Sequence, residues 1–198
     1  MAKDSAKSIV SDSTEAVKPQ LDQHAAVTQQ FGDIVKLPNG LHESVCKSSV
    51  KVLNQSLADT MTLRDMYKKH HWQVVGPTFN QLHLMFDQHF EAQSELVDTL
   101  AERIQVLGGI SVAMAADVAE HTKIPRPPIG REPAAVQLAR LAQAHEMIII
   151  DARKNADTVS KTGDAGTEDV LVSNVLRLNE LQAWFLSEHL VAASPVAK

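Results

Sequence analysis

Between Gly76-Pro77 and Gly108-Gly109 lie thirty residues with neither glycine nor proline. Within them Phe79, Leu82, Phe86, Phe90, Val97, Leu100, Ile104 and Leu107 follow a helical period, with Gln93 as the one polar interruption. The pattern predicts an amphipathic helix of about 45 Å, at about 1.5 Å per residue. Thr78 is its expected N-cap, and the glycine pair is its stop. A helix with one apolar stripe must bury that stripe against other elements. The rest of the chain supplies further helices to do so.

Residues 41–75 form the first of these, with Val50, Leu53, Leu57 and Met61 at spacings of three and four. A third follows Pro133, carrying Leu138, Leu141, Ile148, Ala152, Ala156 and Val159. A fourth is expected to start at Thr167, with Glu168 and Asp169 in its first turn and Leu171, Val175, Leu178, Leu181 and Phe185 as its stripe. The connection over residues 110–131 is long, and Ser111 to Glu120 predicts a short helix within it. The fold class that results is all-α. It is a four-helix bundle with a short extra helix in the long connection between helices 2 and 3. Residues 1–38 are expected to be a flexible polar tail, with one short helix around Leu21 to Val35. The bundle is assigned to 39–192, and a C-terminal tail to 193–198.

Bulk properties exclude several roles. No apolar run approaches the roughly 20 residues of a membrane span. The single cysteine, Cys46, permits no intrachain disulfide, and no secretory signal opens the sequence, so a cytoplasmic location is expected. The net charge is −5. In the tail Lys3, Lys7, Lys18 and Lys36 are offset by Asp4, Asp12, Glu15, Asp22 and Asp33. Counterion release has little to act on there, so DNA binding is expected to be weak or absent.

The second helix also carries chemistry. His83 and Asp87 are four residues apart, as are Asp98 and Glu102, so each pair shares a helix face. Asp87 and Asp98 are separated by three turns plus ~20°, which puts both pairs on one stripe. They are ~16 Å apart along the axis, too far for one ion to bridge. A two-fold axis near Ala92 and Gln93 would set His83 and Asp87 of one chain opposite Asp98 and Glu102 of another, twice over. His71, at the end of the first helix, reaches the level of His83 across the Gly76-Pro77 turn. Singly, each of these residues has an ordinary reading as a solvated carboxylate or a core histidine. Jointly they form a set of two imidazoles and three carboxylates, which suits Fe(II), Mn(II) or Zn(II) better than Mg(II) or Ca(II).

This combination of residues resembles the Dps family of ferritin-like mini-ferritins. The resemblance rests on His71-Trp72, His83, Asp87, Asp98 and Glu102, followed by Arg103 and Leu107-Gly108-Gly109, and is strongest over about 64–109. It implies a dodecameric homo-oligomer built from two-fold dimers. It implies a peroxide-dependent ferroxidase that oxidises Fe(II) to Fe(III), stores the mineral in the cage and protects against oxidative stress. His71, His83 and Asp87 would come from one subunit, Asp98 and Glu102 from the other, with Trp72 beside the site. Iron is the implied metal, with zinc and manganese as alternative occupants. Ferritin proper fits less well, because its Glu-x-x-His pairs are absent from the sequence. The rival readings are a nucleoid-packing DNA-binding protein with minor iron chemistry, and a helical interaction module.

Other residues carry weaker expectations. Glu146, Asp151, Asp164 and Asp169 are candidate pore or mineral-nucleation carboxylates, weighed against solvated faces. His24 and His42 could form an extra metal site. His145 is expected in the core, Cys46 as a small core residue, and Trp184 as packing.

Overall fold

The computed structural model describes residues 25–191, and every regular element among them is helical. Helix α1 spans Glu43–Gln73 and α2 spans Phe79–Val106. The short α3 covers Ala115–His121, and α4 covers Ala134–Ser160. Helix α5, Ala165–Asp169, passes through a π-helical stretch, Val170–Leu176, into α6, Arg177–Glu188. The pairs α1–α2 and α4–α6 are hairpins, and α1 packs on α4 to close a four-helix bundle. The core runs through all four, from Leu53, Leu57 and Leu63 through Phe86, Leu100 and Ile104 to Leu141, Ile148 and Leu171.

The turn between α1 and α2 falls where expected. Gly76 has φ +114°, a conformation that L side chains resist, and Pro77 follows. Residues 25–42 do not form the helix expected around Leu21 to Val35, whose first residues, 21–24, lie outside the described region. Part of the stretch is instead strapped to the end of α2. The Val35 amide donates to the Gly108 carbonyl at 2.8 Å, as does the Gln29 side chain at 2.9 Å. Asn39 donates to the Val106 carbonyl at 3.2 Å. Gly108 has φ +81°, and a Cβ there would lie 1.9 Å from the Val35 carbonyl oxygen. Glycine is therefore required twice over, for the helix stop and for the strap.

The crossover is stitched to α1 by polar side chains on an otherwise apolar face. Asn54 donates to the Ile110 carbonyl and accepts from the Val112 amide, both at 2.9 Å. Asp59 accepts from the Thr122 hydroxyl at 2.9 Å and the Lys123 amide at 2.7 Å. Asn54 and Asp59 are thus satisfied by backbone and hydroxyl groups of the connection.

The expected stripes of α2 and the fourth helix need correction. Phe79 is half-exposed, and Leu96 is buried instead. On the last helix the buried positions are Leu171, Val175, Asn179, Gln182 and Leu186, while Leu181 and Phe185 are exposed. The π-helical turns hold more residues than α-helical ones, so the face beyond Val175 shifts by one position. Two amides thereby enter the core, opposite the buried Gln93. Gln93 donates to Gln182 at 2.8 Å and to Asn179 at 3.3 Å. His145 is in the core, as expected, and belongs to the same network. Trp184 is exposed, against expectation, and its indole donates to Glu188 at 2.9 Å.

Candidate metal centre

His71 closes α1 and His83 lies in the second turn of α2, so the short hairpin brings them together. Their rings stack at 3.7 Å with 20° between planes, and Phe79 stacks on the far side of His83 at 5.1 Å. The Nδ1 of His71 lies 2.8 Å from the His83 carbonyl, and the Nδ1 of His83 lies 2.9 Å from the His71 carbonyl. A carbonyl can only accept, so both Nδ1 atoms carry protons. In its neutral form each ring then has its lone pair on Nε2, the form in which imidazole binds a metal.

Asp87, one turn beyond His83, has an oxygen 3.9 Å from Nδ1 of His71. The same oxygen takes a 2.5 Å bond from Nζ of Lys68. That bond, with the nearby imidazoles, holds the Asp87 carboxyl below its ordinary range despite partial desolvation. Lys68 is the residue that spacing did not reveal. It is one turn before His71 on α1 and also sits over the Phe90 ring, 4.4 Å from its centre. A basic residue at this helical offset from a ligand was its only signal, and the helix dipole accounted for it equally well.

Asp98 and Glu102 are exposed further along α2. Arg103, next to Glu102, turns away and bonds the buried Asp164 at 2.6 Å. Trp72, expected beside the site, is 70% exposed and lines a groove with Met61, Asp65, Pro127 and Ile129. Among the described residues of one chain, no three ligand-type side chains converge closely enough to hold a metal ion. The two imidazoles and Asp87 are gathered at one end of the stripe, and Asp98 and Glu102 stand apart from them.

The secondary candidates resolve differently. Asp164 is not a pore carboxylate: it is 2% exposed, caps α5 by accepting from the Thr167 amide at 3.0 Å, and pairs with Arg103. It also replaces Thr167 as the N-cap, and the Thr167 hydroxyl donates to it at 2.7 Å. Asp151 pairs with Lys123 at 2.6 Å, and Asp169 accepts from Ser173 at 2.7 Å. Glu146 is exposed. His42 is the N-cap of α1, accepting from the Ser44 amide, while His24 lies outside the described residues. Cys46 is buried.

Comparison with known proteins agrees with the fold. A ferritin-like domain model matches residues 50–194. A protein from the bpoA2 5′ region of Kitasatospora aureofaciens is 48% identical over 147 residues, covering 74% of this chain and 98% of its own. DNA protection during starvation protein 2 of Bacillus anthracis is 30% identical, over 71% of this chain and 94% of its own. The solved structure of DpsC from Streptomyces coelicolor superposes with a TM-score of 0.85 at 48% identity, covering 87% of this chain and 100% of that one. The chain belongs to the Dps family, within the ferritin-like fold.

Proposed function

We propose that this protein oxidises Fe(II) at sites shared between two chains and stores the Fe(III) product inside a homo-oligomeric cage, a dodecamer. One chain supplies His71, His83 and Asp87; the other supplies Asp98 and Glu102. The observation that carries the reading is the reciprocal imidazole–carbonyl pair, which occupies both Nδ1 atoms and leaves each Nε2 as the nitrogen available to a metal.

Iron is the substrate. Two imidazoles and Asp87 bind Fe(II), and the partner's carboxylates raise the negative charge that stabilises the Fe(III) product. Hydrogen peroxide is the proposed oxidant: it takes two electrons and two protons and leaves as two waters, so two Fe(II) are consumed for each peroxide. The nucleoid-packing alternative is disfavoured by the tail's four lysines against five carboxylates. No helix of the described residues is long and apolar enough to cross a membrane.

Titration of the metal-free protein with Fe(II) and peroxide tests the reading. A rapid rise in ferric absorbance is expected, lost in the Asp98→Ala, Glu102→Ala double variant while its helical circular dichroism persists. Rapid oxidation by that variant would overturn the site.

A further inference from the structure

Tyr67 is the only tyrosine in the chain, and it is wholly buried where α1, α2 and α4 meet. Its hydroxyl lies 2.5 Å from Nε2 of His145 and 3.0 Å from Nδ1 of His89. The proton positions follow from the neighbours. Asn179 donates its amide to the Val175 carbonyl at 2.7 Å, which fixes its oxygen toward His145. That oxygen is 2.7 Å from Nδ1 of His145, so Nδ1 carries the proton. Nε2 of His145 is then a bare lone pair facing the phenol, and the Tyr67 hydroxyl donates to it. Burial depresses His145 to about 3, so the ring is neutral at rest.

This is the arrangement from which a phenol loses an electron most easily, because the proton has somewhere to go at the same moment. The site proposed above lies one turn along α1, about 6 Å of axial rise from Tyr67 to His71. We propose that Tyr67 is a redox-active electron donor to peroxide reduction at that site, with its phenol proton passing to Nε2 of His145. The inference rests on the ferroxidase reading.

Each Fe(II) yields one electron and peroxide takes two. When only one iron is bound, the second electron comes from Tyr67. Peroxide, Fe(II), Tyr67, neutral His145 and two solvent protons give two waters, Fe(III), a neutral tyrosyl radical and the His145 imidazolium. A second Fe(II) then returns an electron to the radical, and the proton moves back from His145. The sum is two Fe(II), one peroxide and two protons giving two Fe(III) and two waters. The radical is held in the core rather than released as hydroxyl radical, and the Asn179 oxygen stabilises the imidazolium through Nδ1. The π-helical stretch supports this site: it turns Asn179 into the bundle, where an uninterrupted stripe would place Leu178.

The test uses unaltered protein, expressed once with ordinary and once with ring-deuterated tyrosine. Each is given one Fe(II) per proposed site, mixed with peroxide and freeze-quenched for electron paramagnetic resonance. The expected result is an organic radical whose spectrum narrows with the deuterated label, assigned to Tyr67 because no other tyrosine exists. Ferric absorbance that rises without a radical, or with one the label leaves unchanged, overturns the inference and leaves the ferroxidase reading standing. No ferric rise at all overturns both.

Discussion

His71 and His83 donate to each other's backbone carbonyls, at 2.8 and 2.9 Å, across a hairpin turn of the chain. Each ring's tautomer is thus set by the other residue's backbone carbonyl, and the two bonds fix the spacing of the helix ends. Replacing His83 by Ala removes one proposed ligand and the ring stacked on the other, while the backbone carbonyl that His71 bonds remains. We expect Fe(II) affinity to fall by 10–100-fold or more, the range for loss of groups that orient a ligand. Stability should fall by only about 1 kcal/mol, the net worth of one hydrogen bond. Isothermal titration with Fe(II) under anaerobic conditions and urea unfolding separate the two effects.

Lys68 holds an Asp87 oxygen that the proposed site would offer to iron. In Lys68→Gln the carboxylate is freed and a like charge is removed from the site. Metal binding at pH 7 should tighten, and Asp87 should titrate closer to its ordinary range. Weaker binding of Zn(II), used as a redox-inert probe, would show that Lys68 assists the site instead.

Asp164 joins two structural tasks, capping α5 and pairing with Arg103. Burial works to raise its pKa, but hydrogen bonds from Thr167 and the charge of Arg103 outweigh burial and hold it below the usual range. A depressed carboxylate adds stability above its unfolded pKa of about 3.9 and loses it as pH falls through the folded value. Asp164→Ala should cost about 3–5 kcal/mol near neutrality, because Arg103 is left without its partner and the cap is lost. Its stability should also respond less to acid below about pH 4 than that of the unaltered protein. Urea unfolding across pH measures both.

The buried histidines act at a higher pH. Burial lowers His70 and His89 to about 4 and His145 to about 3. An unfolded histidine takes up its proton near pH 6.5, so each contributes stability that is complete above that value. As pH falls from there toward the folded values, the unfolded state binds more protons and stability declines. The free energy of unfolding should therefore drop between about pH 6.5 and pH 4, with the slope reduced in Tyr67→Phe, His89→Phe double variants that fold.

Much of this was legible because local signals and tertiary packing agree. Gly76-Pro77 and Gly108-Gly109 punctuate α2 where they should, and the α4 stripe from Leu138 to Val159 is buried throughout. The spacing of His71, His83 and Asp87 anticipated a hairpin that brings them together. Three features escaped. The strap over residues 29–39 depends on backbone hydrogen bonds to Gly108, which leave no side-chain periodicity. The phase of the last helix depends on a π-helical stretch, so reading a constant 3.6-residue period placed Leu181 and Phe185 inside and Asn179 and Gln182 outside. The Tyr67 network joins residues 22 to 112 positions apart, and no spacing rule connects them.

The central claim is that each site is completed by a second chain, and co-assembly tests it most directly. One variant carries His71→Ala and His83→Ala; the other carries Asp98→Ala and Glu102→Ala. Each alone should show no rapid peroxide-dependent ferric rise. Expressed together, they form dimers at random, and half of those are mixed. In a mixed dimer one site draws all its ligands from intact positions and the other keeps only Asp87. Rapid oxidation should return to about a quarter of the unaltered level, as two-fold symmetry dictates. Co-assembled protein that stays inactive, or either variant oxidising iron rapidly alone, would contradict the account.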